Sequence, residues 1–467
     1  MAEQKLEQAI GKVLLNFNID TLKLEQRKML DALLSSKDCI GVLPTGYGKS
    51  LPYQMLVSIK RELGIDDAKV VVCSPLVALM QDQTQRLRNI PGIKAEYTGS
   101  SAAANENILM GHFDYLFSSP EILVGDKDWR EKLQRFKVST IVVDEFHTIA
   151  TWGEKEDESK QAFRKWFSYI GELRSLFPDA SILALSATCT KQISKRVLKV
   201  LQLDPNAVEI RISPNKPNIK LVVNKILNTV EMAMCWLVDG LCDKALPKTM
   251  IYCTSIKDAA NIYAYISTEI PNCKEVQMFH SETSPDSKKR IMECLKDPTS
   301  SIKVVIATSA LGMGIDMIGF SNVIIYGAPK TIVDLIQEIG RVGRDGKEAV
   351  ALLLHNSYHL RDVETEVKDL FKATECRRIS LLAPFMSKTE LEEEKKTTGL
   401  HSCCDLCASK CLCGSCKTTE LEKLFKMIAS SSEDPCDTSS DEDTESYDLF
   451  DYLDSVDLSL IMDLDLD

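Results

Sequence analysis

Leu43-Pro44-Thr45-Gly46-Tyr47-Gly48-Lys49-Ser50 is the stretch of this sequence that decides its fold. An apolar run, residues 39–43, precedes the stretch, and a helix-compatible run follows it. Gly46 and Gly48 let backbone N–H groups turn inward around phosphate oxygens, while Lys49 supplies a positive charge and Ser50 offers a hydroxyl to Mg²⁺. The usual phosphate-loop pattern begins with Gly where this chain has Leu43. The Gly-Lys-Ser core and its strand–loop–helix context still predict a nucleotide-binding loop rather than an ordinary turn.

Strand-like apolar runs alternate with helical patterns on both sides of this loop. They are residues 39–43, 70–73, 141–143 and 182–185 in the first half, and 249–253, 304–307 and 323–326 in the second. Continuously apolar runs indicate strands buried on both faces, and their alternation with helices predicts parallel sheets. Two prolines and two asparagines in residues 213–218 predict a boundary between two such domains. Because open parallel sheets bind ligands at the carboxyl ends of their strands, we expect the reactive residues just after these runs.

Polar residues in both halves complete the predicted nucleotide site. Asp144 and Glu145 follow the run 141–143, where Asp144 is placed to hold Mg²⁺ and Glu145 to orient an attacking water; a surface acidic pair is the alternative. Arg341 and Arg344 share one face of a helix, where they predict arginine fingers on a γ-phosphate, with a solvated basic face as the alternative. If the loop and the fingers lie on separate domains, ATP binding pulls the domains together, which is the design of a motor.

The formal net charge of the 467-residue chain, −12, comes from one terminal segment. Residues 431–467 contain 14 Asp and Glu and no Lys or Arg, so the rest of the chain carries +2. The acidity is therefore no argument against nucleic acid as a partner. No apolar run approaches the ~18 residues that span a membrane, and the chain begins without a secretory pattern. We expect a nuclear protein, or a cytoplasmic one in a prokaryote, whose 16 cysteines are thiols or metal ligands.

Segments between residues 17 and 355 resemble, in order, the motifs of superfamily-two helicases, and specifically of RecQ-type DNA helicases. The matching segments are residues 22–26, 43–50, 74–83, 118–121, 144–147, 186–188, 251–255, 307–316 and 337–346. Residues 147–153, with Phe163 and Arg164, resemble the aromatic-rich loop by which RecQ proteins sense DNA, although Trp152 and Phe163 are also compatible with core aromatics. Ile19 stands where RecQ proteins usually carry an aromatic residue. The resemblance implies two RecA-like domains and ATP-driven movement on single-stranded DNA with 3′-to-5′ polarity.

The resemblance also implies individual site residues. Those for binding ATP are Lys23, Gln26, Pro44, Thr45, Gly46, Tyr47, Gly48, Lys49, Ser50, Gly314 and Asp316. Those for catalysis, with Mg²⁺, are Lys49, Asp144, Glu145, Gln337, Arg341 and Arg344. Those for DNA binding and its coupling to the ATP site are Ser74, Pro75, Gln83, Trp152, Phe163, Arg164, Ser186 and Thr188.

A cluster of cysteines lies between residues 376 and 416. Cys404 and Cys407 form a C-x-x-C pair, which is typical of tetrahedral zinc sites. RecQ proteins carry a zinc site behind the motor, and here the resemblance implies the ligands Cys376, His401, Cys404 and Cys407, with Cys403 as the alternative to His401. The sequence also offers a rival set, namely Cys411, Cys413 and Cys416, and a run of thiols without metal is the remaining alternative.

The predicted fold class is α/β, with two RecA-like parallel-sheet domains in tandem, then a small helical zinc-binding module and a disordered acidic tail. The expected boundaries are residues 1–212, 213–360, 361–418 and 419–467. The tail alternates Asp with Leu, Tyr and Phe, which is typical of disordered segments that fold on a protein partner. A purely solvating tail, or one that occupies the DNA channel of the motor, is the alternative.

We interpret the chain as a monomeric ATP-, Mg²⁺- and Zn²⁺-dependent DNA helicase that acts on single-stranded or forked DNA in repair, recombination or replication. A single-strand translocase or DNA-stimulated ATPase with little unwinding is the first alternative, because the residues after Cys416 are too few for a strand-splitting winged-helix domain. An RNA helicase is the second, against which residues 74–83, 147–153 and 376–378 argue. The third is a DNA-binding scaffold with a decayed motor, against which the intact phosphate loop argues.

Overall fold

Two parallel sheets lie in tandem along the chain, in a computed structural model that describes residues 2–151, 165–297, 299–311, 319–413, 421 and 423. The strands of the first sheet are β1 (Cys39–Val42), β2 (Val70–Cys73), β3 (Ala95–Tyr97), β4 (Tyr115–Ser118), β5 (Thr140–Val143), β6 (Ser181–Ser186) and β7 (Val208–Arg211). Those of the second are β8 (Ile219–Lys225), β9 (Thr249–Cys253), β10 (Val276–Phe279), β11 (Val304–Ala307), β12 (Asn322–Tyr326) and β13 (Ala349–His355). The predicted class, two parallel-sheet RecA-like domains in tandem, is confirmed.

The strand order explains where the site forms. The first sheet runs β3-β4-β2-β5-β6-β1-β7 and the second runs β10-β11-β9-β12-β13-β8. All neighbouring strands are parallel, so their carboxyl ends lie along one edge of each sheet. In the first sheet β5 lies next to β6, which lies next to β1, so the loops after these three strands are adjacent. The phosphate loop, the acidic pair and residues 186–188 follow those strands.

Helices pack against both sheets, and those of the first domain form a core on each face of its sheet. In the first domain they are α1 (Ala2–Asn16), α2 (Leu24–Leu34), α3 (Leu51–Glu62), α4 (Val77–Arg88), α5 (Ala102–Leu109), α6 (Lys127–Leu133), α7 (Thr148–Thr151), α8 (Glu172–Leu176) and α9 (Lys191–Val200), with a π-helical turn, Glu121–Gly125, and a 3₁₀ turn, Lys165–Tyr169. Successive strand residues pack on opposite faces: Cys39 belongs to one core and Ile40 to the other. This two-sided burial is the reason that the central strands of the sheet are mostly apolar.

The second domain and the segment after it share a core. The helices of the second domain are α10 (Val230–Cys242), α11 (Ile256–Glu269), α12 (Pro285–Lys296) and α13 (Ile332–Ile339), with a 3₁₀ turn, Ser309–Leu311. Five further helices follow: α14 (Thr365–Phe371), α15 (Arg377–Leu382), α16 (Lys388–Thr397), α17 (Leu400–Cys403) and α18 (Asp405–Ala408). Leu381 and Leu382 of α15 pack into the same apolar cluster as Leu221 and Val223 of β8.

The last short helices also extend the edge of the second sheet. Cys404 forms a parallel bridge with Leu221 of the edge strand β8, and Val223 N–H donates to Asp405 Oδ2 at 3.3 Å. The segment therefore satisfies part of an edge that would otherwise be open to solvent. The predicted boundary near residues 213–218 falls between β7 and β8 and, like the other boundaries, stays a prediction. The acidic tail, residues 431–467, lies outside the described residues.

Two further observations concern the residues that the structure describes. No disulfide joins the cysteines among them. Within the same ranges, none of the helices combines the length and the apolar character that crossing a bilayer requires.

Candidate active site

The phosphate loop joins β1 to α3, as the sequence predicts. Gly46 and Gly48 have φ values of +84° and +86°, in the left-handed region that favours glycine. A Cβ atom on Gly48 would also lie 2.5 Å from Gln26 Nε2, so a side chain at position 48 would displace the Gln26 amide. The turn leaves Lys49 and Ser50 at the start of α3, where the helix dipole favours an anion.

Gln26 and Lys23 hold this loop from the start of α2. The Gln26 side-chain amide donates to Tyr47 O at 3.0 Å and to Gly48 O at 3.1 Å, and its oxygen accepts from Lys23 N–H at 2.9 Å. Lys23 Nζ donates to Tyr47 O at 3.2 Å and lies 4.1 Å from the centre of the Tyr47 ring. Both residues of the predicted adenine motif therefore contact the phosphate loop.

The acidic pair lies opposite Lys49. Lys49 Nζ is 2.7 Å from Glu145 Oε1, and Glu145 N–H donates to Asp144 Oδ1 at 3.0 Å. Glu145 has φ +50°, a left-handed conformation that costs a non-glycine residue on the order of 1 kcal/mol. The ion pair with Lys49 stabilises this turn, which points the Glu145 carboxylate toward the phosphate loop.

Burial and charge separate the pKa values of the two carboxyl groups. Burial raises the pKa of Asp144 to about 6. Burial is also the largest single effect on Glu145, but the charge and hydrogen bond of Lys49, together with His147 and Arg341, outweigh it, so the pKa of Glu145 is lowered. One lysine thus faces two carboxyl groups, and Glu145 Oε2 is buried without a hydrogen bond in the described chain, with His147 Nδ1 3.4 Å away. A surplus of acidic oxygen at this point suits a divalent cation such as Mg²⁺.

A hydrogen-bonded bridge connects the second domain to this centre. Gln337 Nε2, on α13, donates to His147 Nε2 at 3.2 Å and to Thr188 Oγ1 at 3.0 Å. His147 Nδ1 lies 2.9 Å from Ser186 Oγ, and burial lowers the pKa of His147, so the neutral ring is favoured. Because Gln337 donates to Nε2, the proton of that ring lies on Nδ1. Ser186 and Thr188, which were assigned to coupling, thus lie at the seam between the domains.

Side chains of both domains line one cavity of about 360 Å³. The first domain contributes the phosphate loop, Asp144 and Glu145, and the second contributes Gln337, Arg341 and Arg344. Arg341 is only 6% exposed, and burial lowers its pKa from the usual arginine value. The loop geometry, the lysine, the acidic pair and the two guanidinium groups fit a nucleoside triphosphate with Mg²⁺.

Other predicted residues lie near this cavity or outside the described residues. Gln83, assigned to DNA binding or coupling, is 7% exposed and lines the cavity, where its amide donates to Asp144 Oδ2 at 3.5 Å. Ser74 is 2% exposed at the carboxyl end of β2, and Pro75 follows it. The remaining predicted residues lie outside the described part of the chain: Trp152, Phe163, Arg164, Gly314 and Asp316.

Sequence reasoning missed three polar residues that line the cavity. Gln54 lies one helical turn after Ser50, and Asp82 and Arg86 form an i,i+4 ion pair of 2.9 Å on α4. Tyr53 was also missed; its hydroxyl donates to Gln83, which in turn contacts Asp144. The helical spacing from Ser50, and from the segment 74–83, was the available signal for these positions.

The cysteine cluster differs from the predicted ligand set at one position. The thiols of Cys376, Cys403, Cys404 and Cys407 lie within 4.8 Å of one another, and Cys376 Sγ is 3.4 Å from Cys403 Sγ. His401 is not in this group, so the alternative, Cys403, takes its place. On the short helix α17, positions 401 and 403 are about 200° apart, and the buried one is Cys403, at 4% exposure, while His401 is exposed.

The four thiols fit a structural zinc ion. Zn–S bonds of about 2.3 Å at tetrahedral angles place sulfur atoms about 3.8 Å apart, within the range that the cluster spans. None of the rival ligands, Cys411, Cys413 and Cys416, belongs to this group of four. Cys411 and Cys413 group instead with His401, and Cys416 is outside the described residues.

Two buried arginines connect this cluster to the rest of the molecule. Arg377 Nε donates to Asp405 Oδ1 at 2.7 Å. Arg378 donates to Asn215 Oδ1 at 2.7 Å, to Lys216 O at 2.9 Å, to Cys403 O at 3.1 Å and to Ile219 O. One guanidinium group therefore joins the cysteine cluster to the segment between the two sheets.

That segment also reaches the arginine helix. Lys216 Nζ donates to Gly340 O at 2.6 Å, just before Arg341. Burial, and then the nearby charges of Arg344 and Arg341, lower the pKa of Lys216 to about 8. A continuous set of polar contacts thus runs from the cysteine cluster to the cavity.

The sequence of this chain is similar to those of known helicases over most of its length. Residues 23–196 match the DEAD/DEAH box helicase family, and residues 232–346 match the helicase conserved C-terminal domain. The chain is 30% identical to the probable ATP-dependent DNA helicase RecS of Bacillus subtilis, over 84% of this chain and 75% of that protein. It is 30% identical to the ATP-dependent DNA helicase RecQ of Pasteurella multocida, over 73% of this chain and 51% of that protein.

Longer relatives and solved structures also match. The ATP-dependent helicase SGS1 of Saccharomyces cerevisiae is 28% identical over 75% of this chain, which spans only 24% of that protein. Among solved structures, Mss116p bound to single-stranded RNA and AMP-PNP has a TM-score of 0.63 at 18% identity, covering 84% of this chain and 80% of that one. The helicase MrfA bound to DNA and AMPPNP has a TM-score of 0.58 at 18% identity, covering 85% of this chain and 60% of that one. At such identities the structures show the shared fold alone.

Proposed function

The chain belongs to the RecQ family of ATP-dependent DNA helicases, and on this premise we propose that ATP hydrolysis drives it 3′-to-5′ along single-stranded DNA. The observation that carries the proposal is the cavity between the two sheets. Lys49 and Glu145 of the first domain face it together with Gln337 and Arg341 of the second. A nucleotide held there contacts both domains, so its hydrolysis alters the force between them. The ATP-dependent DNA helicase activity follows from the family; the direction of movement is part of the proposal.

Each group in the cavity has a role in this proposal. Lys49 and the phosphate-loop N–H groups bind the phosphates, and Ser50 and Asp144 would hold Mg²⁺, which would neutralise phosphate charge. Glu145 orients the attacking water, because its pKa is lowered and its Oε2 atom accepts no other hydrogen bond in the described chain. Arg341 and Arg344 stabilise the negative charge that develops on the transferred phosphoryl group.

Coupling to DNA passes through the seam between the domains. Ser186 and Thr188 lie on the first domain, and Gln337 contacts Thr188 and His147 from the second. A shift of one domain against the other changes these hydrogen bonds. We assign DNA contact to Ser74, Pro75, Trp152, Phe163 and Arg164 on their motif positions, with Trp152 stacking on a base. The family membership disfavours the RNA helicase alternative.

A zinc ion at Cys376, Cys403, Cys404 and Cys407 stabilises the segment 361–418 in this proposal. The same segment contacts β8 and the segment between the sheets, so it supports the second domain during movement. If the substrate is chromosomal DNA, the protein acts in the nucleus, or in the cytoplasm of a prokaryote. We propose that it acts there in DNA repair, recombination or replication. We propose that the chain works as a monomer.

ATP hydrolysis measured with single-stranded DNA and single-stranded RNA in parallel tests the substrate class. We expect DNA to stimulate turnover strongly and RNA to stimulate it little. Lys49→Ala removes the phosphate-binding charge and is expected to abolish the stimulated activity, whereas Lys37→Ala, at an exposed lysine outside the cavity, should match the wild type. Stimulation by RNA alone would rule out the proposed substrate, and an active Lys49→Ala protein would rule out the proposed site.

Strand displacement tests direction and unwinding separately. Duplexes with a 3′ tail, with a 5′ tail and with a fork are compared at equal enzyme and ATP. We expect displacement from the 3′-tailed and forked duplexes and none from the 5′-tailed one. Displacement from the 5′-tailed duplex alone would reverse the proposed direction. DNA-stimulated ATP hydrolysis without displacement would identify a translocase that unwinds little.

The acidic tail calls for its own experiment. We propose that residues 431–467, with 14 acidic residues, compete with DNA for the motor until a protein partner binds them. A chain ending at residue 428 should then bind single-stranded DNA more tightly, and more so at low salt, because the competition is electrostatic. Equal DNA affinity and ATP turnover of the two chains at low salt would exclude this regulation.

A further inference from the structure

A second group of metal-binding side chains lies beside the four-cysteine cluster and shares no residue with it. It consists of His401, Cys411 and Cys413, whose ligand atoms all lie within 4.8 Å of one another. His401 Nδ1 is 3.9 Å from Cys411 Sγ and 4.0 Å from Cys413 Sγ. We propose that these three residues, the outer site, bind a second zinc ion.

The spacing of the outer site agrees with that of a tetrahedral zinc centre. Zn–S bonds of about 2.3 Å and Zn–N bonds of about 2.0 Å at tetrahedral angles place nitrogen about 3.5 Å from sulfur. The two observed nitrogen–sulfur distances exceed this value by only a few tenths of an ångström. Rotation of exposed side chains is enough to close such gaps, since His401 and Cys413 are exposed and Cys411 is half-buried.

The fold brings these three residues together through the inner cluster, which is the group of Cys376, Cys403, Cys404 and Cys407. Cys403 and Cys407 are buried in the core of the second domain, which fixes both ends of the intervening chain. After α18 the chain reverses, with Lys410 N–H donating to Cys407 O at 3.1 Å and Cys411 N–H donating to Ala408 O at 3.1 Å. This turn returns residues 411–413 to the exposed side of α17, where His401 lies. The outer site is therefore positioned by a part of the fold that forms independently of it.

The chemistry of the donors selects the metal. Two thiolates and one imidazole suit zinc, whereas magnesium and calcium require oxygen ligands. Three protein donors leave one position of a tetrahedral ion for water or for a residue outside the described chain. Because the outer site is open to solvent and the inner cluster is buried, an ion at the outer site should exchange faster than an ion at the inner one.

Metal content of the full-length protein tests this proposal. We expect the wild-type chain, purified with Zn²⁺ and passed through a desalting column, to retain about two zinc ions per chain. His401→Ala and the double variant Cys411→Ser/Cys413→Ser should each lose about one of them and keep the other. Cys242→Ser, at an exposed cysteine outside both groups, is the matched control and should retain the wild-type content. A chelator that contains no thiol group should remove the outer zinc ion of the wild type well before the inner one.

Cobalt and alkylation give readouts that do not depend on zinc counting. Co²⁺ bound at the outer site should add thiolate charge-transfer absorbance to that of the inner cluster. The double variant should lack this added absorbance. Zn²⁺ should also slow alkylation of Cys411 and Cys413, which mass spectrometry of the peptides quantifies. Wild-type zinc content in the double variant, or equal alkylation with and without Zn²⁺, would overturn the proposal. Loss of one zinc relative to the wild type is a difference that does not depend on the DNA helicase activity.

Discussion

The ATP cavity and the inner cysteine cluster use buried polar groups for opposite purposes. In the cavity, Lys49 and Glu145 come from the first domain and Arg341 from the second, so the large-scale arrangement of two sheets brings them together. In the cluster, Cys403, Cys404 and Cys407 come from one short segment, and Cys404 is fully buried against β8. The fold thus organises the cavity, whereas the cluster organises part of the fold.

This difference predicts which property each substitution changes. A small domain segment with little core of its own depends on metal for stability, because the free energy of binding becomes free energy of folding. An active site tolerates loss of a reacting group without unfolding, because its groups line a cavity rather than the apolar cores of the sheets. Substitutions at the cavity should therefore change rates, and substitutions at the cluster should change stability.

The largest expected effect is on the rate of ATP hydrolysis in Glu145→Gln. The amide keeps the shape of the side chain but can no longer orient and activate water as a carboxylate does. We expect DNA-stimulated turnover to fall about 10²–10³-fold while the Kd for a fluorescent ATP analogue stays within about threefold. Glu106→Gln, at an exposed position on α5, is the control and should keep full activity. Turnover within tenfold of the wild type would show that Glu145 does not orient the attacking water.

The next effect is on stability, in Cys404→Ser. Loss of this buried ligand should release the inner zinc and lower the free energy of unfolding by about 3 kcal/mol, which lowers Tm by at least about 5 °C. ATP turnover measured well below the transition should stay within about threefold of the wild type. Cys242→Ser should change neither zinc content nor Tm, because it lies outside both metal groups. A normal Tm together with lost ATP turnover would contradict the expectation that the cluster determines stability and the cavity determines rates.

Sequence patterns predict local features well because local chemistry determines them. The strands that end at the ATP cavity, β1, β5 and β6, are fully buried and mostly apolar, and an apolar run was predicted in each of them. Six strands were not predicted: β3, β4, β7, β8, β10 and β13. The residues of β3 and β7 are only partly buried, and their sequences, Ala-Glu-Tyr and Val-Glu-Ile-Arg, include charges. That reason does not extend to β4 and β13, whose residues are almost all buried. The glycines of the phosphate loop were readable because the left-handed backbone there has a strict residue preference.

Contacts between distant segments could not be read from the sequence in the same way. The choice of Cys403 over His401 depends on which face of α17 turns toward β8, and both residues are acceptable zinc ligands. The bridge from Gln337 to His147 and Thr188 depends on the orientation of one sheet against the other. Arg378 was part of a recognised motif, but its partners in residues 215–219 emerge only from the packed structure.

Gln337→Ala tests whether the seam transmits the state of one domain to the other. The substitution removes the hydrogen bonds to Thr188 and His147 without removing a group that binds phosphate. We expect DNA-stimulated turnover to fall about 10- to 30-fold, equivalent to about 1.4–2 kcal/mol, with basal turnover less affected. Tm should stay within about 2 °C, as in the control Gln134→Ala, which changes an exposed glutamine. Equal losses of basal and stimulated turnover would indicate a direct catalytic role instead of coupling.

The smallest expected effect is beside the phosphate loop, in Lys23→Ala. Lys23 Nζ contacts Tyr47 O at 3.2 Å and the Tyr47 ring at 4.1 Å, but the side chain is exposed, so these contacts contribute only about 0.5–1 kcal/mol. Loss of this support should raise the KM for ATP about two- to fivefold and leave kcat within about twofold, because Lys49 and Glu145 remain in place. Lys28→Ala, an exposed lysine on the same helix, should change neither constant. A larger fall in kcat than in affinity would instead mean that Lys23 acts in the transition state. Residues beside the phosphate loop would then take part in the reaction.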